Sequence, residues 1–147
     1  MPLESTVLAK IVIRETIEDY LNFLDARDWS RVAACFAHDA QSRYNFEPEI
    51  LHGGRGVADW VRLRLNHYGA TDHALSNLHI EVMGDVATCD SRVTASLYLE
   101  QGGERRISVR AIWYRDKLRR DGDRWLIVER VHEPQWQYEV PAREMQV

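Results

Sequence analysis

Apolar positions along the first quarter of the chain repeat with a helical period. Ala9, Ile13, Ile17, Leu21 and Leu24 fall at three- and four-residue spacing, which predicts an amphipathic helix over 5–25 with Ser5 or Thr6 as its cap. Val7, Leu8, Ile11 and Val12 widen the stripe at its N-terminal end, enough to cover a second surface such as a subunit contact. Asp28 reads as the N-cap of a shorter helix over 29–36, which His38-Asp39 ends. A short strand is expected over 42–46. Gly53-Gly54 turns into a third helix over 57–68, with Val57, Trp60, Val61 and Leu65 inward. After Gly69 the period changes to two. Ala74, Ser76, Leu78, Ile80 and Val82 alternate with polar residues, as in a half-buried strand. Gly84-Asp85, Gly102-Gly103 and Asp121-Gly122 then separate three more strands, 86–99, 105–118 and 124–136.

Helices first and an antiparallel meander last predict an α+β fold: a cone-shaped curved antiparallel sheet packed on N-terminal helices, an α+β roll. The cone encloses an apolar cavity. Repeats, low-complexity stretches and linkers are missing from the pattern, so residues 1–147 are expected to form one domain, with a core of about 5–138 and a loose C-terminal tail.

Composition narrows the class. Of 147 residues, 45% are hydrophobic and 29% charged, a globular balance, and the net charge of -4 argues against a nucleic-acid partner. Arg105-Arg106 and Arg119-Arg120 flank turns, as solvated edges do. Cys35 and Cys89 are too few and too far apart for a disulfide framework, which points to the cytoplasm. No secretory leader is expected at 1–10, and no run approaches the roughly 18 apolar residues of a membrane span, so no membrane partner is expected.

Chemistry is expected from few residues. Asp25 continues the stripe of the first helix, four residues after Leu21, either facing inward where the macrodipole disfavours it or lying in a frayed end. His73 opens the first long strand and carries the side chain best suited to exchange a proton near neutral pH. Together they can form a unit in which aspartate orients histidine; apart, His73 is a surface or merely hydrogen-bonded residue. Strict alternation sets His73 with Leu75, Asn77, His79 and Glu81, on the polar face. A single bulge near Ala74–Asn77 is needed to turn it inward. Arg130 and His132 share a face with Leu126 and Val128, where an arginine either stabilises developing negative charge or simply snorkels. His73 and His79 stand about 20 Å apart along one strand, no histidine or cysteine falls at ligand spacing, and no metal is expected. Gly53-Gly54-Arg55-Gly56 lacks the ending of a phosphate loop and reads as a turn.

Several segments in order carry a resemblance: Leu24-Asp25-Ala26-Arg27-Asp28-Trp29, Phe36-Ala37-His38-Asp39-Ala40, Thr71-Asp72-His73 through Ile80, Gly84-Asp85-Val86-Ala87 and Arg120-Asp121-Gly122-Asp123-Arg124-Trp125. Over roughly 11–136 the chain resembles the SnoaL-like branch of the nuclear transport factor 2-like superfamily. That branch includes polyketide cyclases, scytalone dehydratase, a bile-acid dehydratase and a dehydrochlorinase. The resemblance implies a cystatin-like roll and a cofactor-independent acid-base enzyme, a dehydratase, cyclase or isomerase, acting on a small apolar or polycyclic substrate. His73 and Asp25 match the catalytic pair of dehydratase-like members. It further implies substrate-binding roles for Tyr20 and Tyr44, to which Arg130 and His132 are added as candidates from their strand. Relatives of this fold also imply a homodimer or homotrimer. A different class stays open, a non-catalytic ligand-binding or assembly module like the small subunit of ring-hydroxylating dioxygenases. An epoxide hydrolase would need an Asp-Arg-Asp set that is not assignable here.

Overall fold

The computed structural model describes residues 2–146. Helix α1 (Leu3–Ala26) buries Ala9, Ile13, Ile17, Tyr20, Leu21 and Leu24 along the expected stripe. It starts earlier than expected, because Pro2 is the N-cap. Ser5 and Thr6 lie inside the first turn, where both hydroxyls donate to the Pro2 carbonyl (2.8 and 3.3 Å). The C-cap is Arg27 in the left-handed region (φ 59°), its N–H closing on the carbonyls of Phe23 and Leu24. The Arg27 guanidinium also donates to Leu24 O (2.9 Å), Thr71 Oγ1 (2.8 Å) and Gly69 O (2.8 Å), pinning the helix end to the start of a distant strand.

Helix α2 (Trp29–Ala34) is capped as expected by Asp28, which accepts from the Arg31 amide at 3.2 Å. It ends two residues early. Phe36 opens strand β1 (Phe36–Tyr44), so the strand expected at 42–46 begins well before it, and His38-Asp39 lie within it. After the two-residue strand β2 (Leu51–His52), helix α3 (Gly53–Leu65) includes the glycine pair expected as a turn. Gly54 permits the packing: a Cβ there would lie 1.9 Å from the Ala33 carbonyl oxygen, so α2 and α3 approach backbone to backbone.

The four long strands are β3 (Thr71–Met83), β4 (Val86–Gln101), β5 (Glu104–Asp121) and β6 (Arg124–Pro141), joined as the expected antiparallel meander. The whole sheet is mixed rather than antiparallel, a correction. Its order is β2-β1-β6-β5-β4-β3, and β1 runs parallel to β6. It is curved and unclosed, with the helices packed on it, an α+β architecture. Arg106 and Arg119 pair with Glu139 and Asp39 at exposed positions, both at 3.0 Å, as solvated edges.

Bulges decide which side chains enter the cone. In β3, Leu75 pairs with Val93 and Asn77 with Arg92, leaving Ser76 as the extra residue. The inward positions are therefore Thr71, His73 and Leu75 before the bulge, and Leu78, Ile80 and Val82 after it. In β6, Ile127 pairs with Leu118 and Glu129 with Lys117, which leaves Val128 unpaired. Arg130 and His132 consequently share the buried face with Trp125 and Ile127. This corrects the expectation that they follow Leu126 and Val128, because the extra residue inverts the alternation. No described helix is long and apolar enough to cross a membrane.

Candidate active site

Asp25 sits in the last turn of α1, so the alternative of a frayed end does not hold. One carboxylate oxygen, Oδ2, accepts from the backbone amide of His73 at 2.9 Å. The other, Oδ1, accepts from Thr71 Oγ1 at 2.8 Å and lies 2.6 Å from His73 Nδ1. Burial raises the Asp25 pKa, but the hydrogen bonds from His73 and Thr71 outweigh it and hold the carboxyl below its ordinary value. An ionised carboxylate only accepts. The short contact therefore fixes the imidazole proton on Nδ1 and leaves the Nε2 lone pair available. The His73 side chain is 6% exposed and lines a cavity of about 360 Å³.

The cavity walls are mainly apolar: Leu24, Trp60, Leu65, Leu97, Ile112 and Trp136 contribute, with Tyr20, Tyr44, Tyr114 and His132. The tyrosines form a dry cluster. Tyr20 and Tyr44 share a hydroxyl–hydroxyl hydrogen bond of 2.7 Å. Burial pushes the pKa of Tyr20, Tyr44 and Tyr114 above the ordinary phenol value, so all three remain protonated donors. His132 stacks on Tyr44 (4.8 Å between ring centres, 12° between planes). Burial, reinforced by the Arg130 charge, lowers its pKa to about 3. Its Nδ1 accepts from the Asn45 amide at 3.4 Å, so this neutral ring carries its proton on Nε2. The two histidines thus differ in kind: His73 presents a base and His132 a donor.

Arg130, expected to bind substrate, stands behind the cavity wall rather than in its lining. Its side chain is fully buried and forks onto Asp116, Nε to Oδ1 at 2.7 Å and Nη2 to Oδ2 at 2.8 Å. The guanidinium lies between the rings of Tyr20 and Tyr114, 4.2 and 4.1 Å from their centres. Burial pushes the Asp116 carboxyl up and would lower the Arg130 pKa, yet the carboxylate drives Arg130 well above its ordinary value. Two parallel N–H···O bonds of this length require both partners charged, so the pair is ionic. From behind the wall, Arg130 Nη1 reaches Tyr44 Oη at 3.5 Å, and its charge also acts on the lining rings of Tyr20, Tyr114 and His132.

Sequence reasoning passed over Asp116, Tyr114 and Arg110. For Tyr114 the alternation with Ile112 and Leu118 was a signal, whereas Asp116, buried in the same alternation, carried none of its own. Among the described residues no group of three or more His, Cys, Asp or Glu is gathered as a metal site. Burial pushes the Cys35 and Cys89 thiols up to about 12, which removes them as nucleophiles.

Three comparisons bear on this geometry. Curated relatives in Mycobacterium tuberculosis and Mycobacterium bovis, both uncharacterised, are 27% identical over 123 residues, 83% of this chain and 82% of theirs. A provisionally assigned scytalone dehydratase from Novosphingobium aromaticivorans superposes with a TM-score of 0.83 at 19% identity, covering 97% of this chain and 94% of its own. A hexachlorocyclohexane dehydrochlorinase from Novosphingobium barchaimii gives 0.82 at 18%, covering 97% of each. A Nostoc punctiforme protein described as having a cystatin-like fold gives 0.70 at 22%, covering 86% of this chain and 90% of its own. At these identities the structural likeness is one of fold. Residues 5–131 match the SnoaL-like domain family, and with the helix-on-curved-sheet roll already described, this chain belongs to that family.

Proposed function

We propose that the protein is a cofactor-independent acid-base enzyme of the lyase or dehydratase type, acting on a small, largely apolar cyclic molecule. Cyclisation or isomerisation would use the same parts. The reading rests chiefly on one observation, the 2.6 Å contact between His73 Nδ1 and Asp25 Oδ1 at the edge of an apolar cavity. In an elimination, His73 Nε2 takes a proton from the carbon beside an activating group. The C–H electron pair forms the double bond while the bond to the leaving hydroxyl breaks. The departing oxygen receives a proton from a wall donor, Tyr44, Tyr20 or His132, and leaves as water; the imidazolium's proton then restores that donor, relayed through the released water or solvent. Net loss is one water. Asp25 stays ionised and stabilises the imidazolium as it forms. The fold resemblance to a dehydratase and a dehydrochlorinase supports the reaction class.

The test is proton exchange and turnover. Cyclic β-hydroxy ketones are incubated in deuterated buffer, and exchange at the α-carbon and loss of water are followed by NMR. A folded His73→Ala protein is expected to lose about 10²–10⁴-fold in both, and Asp25→Asn to lose activity through the wrong tautomer. Undiminished exchange and turnover in folded His73→Ala would overturn the mechanism. We further place the protein in the cytoplasm, in keeping with its two buried, unpaired cysteines, and as a homodimer or homotrimer.

A further inference from the structure

Three arginines stand at or behind the cavity wall, and two of them have a carboxylate. Arg130 has Asp116, and Arg64 has Glu47 at 3.3 Å. Arg110 has none within salt-bridge distance among the described residues. It lines the cavity and is half-buried on β5. A guanidinium carries five N–H donors. Here Nη2 donates to Tyr68 Oη at 2.7 Å, while Nε is buried with no partner. Nη1 has no hydrogen bond either, and is not among the buried unpartnered atoms, so it reaches open space. Withdrawing a cation from water without a counter-charge is unfavourable, and an unmade buried hydrogen bond adds to the cost. Tyr68 satisfies one of the five donors and offers its ring 5.5 Å from the guanidinium carbon, but it supplies no counter-charge, so the cation marks a place where a ligand completes the set.

Register fixes where that ligand group lies. His73 pairs with Ala95, Ala95 with Arg110 and Arg110 with Gln137, so these four residues form one row across the sheet. The small side chain of Ala95 separates the base from the cation by two strand spacings, about 10 Å between backbones. We propose that Arg110 is a specificity-determining residue that binds a carboxylate of the substrate, with the apolar ring laid over Ala95 toward His73. The ligand is then amphipathic, a ring system bearing one negative group. This rests on reading the cavity as a substrate site. Anchoring a remote charge would orient the ring for the proton transfer.

Binding tests this separately from catalysis. Wild-type protein is titrated calorimetrically with 2-naphthoate and with neutral 2-naphthamide at low ionic strength. The carboxylate is expected to bind about tenfold or more tightly than the amide, as a charge-assisted hydrogen bond in a partly dry site implies. Arg110→Gln is expected to bring 2-naphthoate to the level of the amide while leaving the amide unchanged, and Arg110→Lys to restore part of the preference. Equal binding of the two probes by the wild type, binding of neither, or a preference that survives Arg110→Gln overturns the assignment. The same titration of His73→Ala distinguishes the two readings. A preserved preference upholds the Arg110 site even if the acid-base mechanism fails, whereas its loss would give the anion to His73 and overturn the role of Arg110.

Discussion

Neutral His132 shows how one side chain ties the site to stability. The unfolded chain binds a proton at this position near pH 6.5, the ordinary histidine value, whereas the folded chain refuses it until about 3. Between those values the unfolded state holds more protons. The contribution of His132 is therefore complete above pH 6.5 and is lost as pH falls toward 3, at up to about 1.4 kcal/mol per pH unit. Urea denaturation across this window is expected to show that slope, and His132→Phe, which keeps the stacking on Tyr44, is expected to flatten it. An unchanged slope in His132→Phe would assign the acid sensitivity elsewhere. Asp25 acts in the same sense over a lower window that begins near its ordinary value of 3.8 and overlaps the foot of the His132 window, because its folded pKa is depressed. Of the site residues, Asp25 was legible because it continued a helical stripe. Asp116 was not, because a lone acid in an apolar alternation reads as an exposed position until its partner, Arg130, is known to stand one strand away at the register Asp116↔Arg130.

At the scale of elements, a single extra residue aims the base. Were Ser76 paired regularly instead of left as the extra residue, the segments on either side of it would follow one unbroken alternation. His73 would then leave the face it shares with Leu78 and Ile80. Deleting Ser76 removes the extra residue and leaves His73 in phase with Leu78 and Ile80, so His73-dependent exchange and the low-field Nδ1 proton resonance of the His73–Asp25 contact are expected to survive it. Loss of that resonance in a folded deletion variant would show that the bulge itself, and not only the phase it sets, holds His73 against Asp25. The meander was readable because its turns carry Gly84, Gly102, Gly103 and Gly122 at positive φ, and long period-2 runs separate them. Of strand β1 only the last residues were readable, as part of the strand expected over 42–46. Its burial alternates only from Ala40 onward, and it gains its place by parallel pairing with β6, more than 80 residues later in the chain. Local pattern carries no record of such a partner, and the same holds for the bulges at Ser76 and Val128.

At the scale of the whole molecule, the N-terminal half of α1 leaves an apolar face uncovered. Leu3, Val7, Leu8 and Ile11 on α1 are 79%, 48%, 62% and 51% exposed, although their spacing continues a helix stripe. A contiguous patch of this kind is a customary mark of association. Light scattering is expected to give two or three chain masses, and Leu8→Lys with Ile11→Lys to shift the protein toward one. A wild-type protein of a single chain mass would overturn the oligomer reading.

The sheet ends at β3, which has β4 on one side and no strand on the other. Its free edge would offer unpaired amides to any passing chain. At His73 that outward amide is already taken, by Oδ2 of Asp25, while Arg27 occupies the Gly69 carbonyl just upstream. The carboxylate that orients the imidazole is thus also a plug in an open seam. Loss of Asp25 would unseal the strand as well as misdirect the base, so pressure against aggregation and pressure for turnover fall on the same two oxygen atoms.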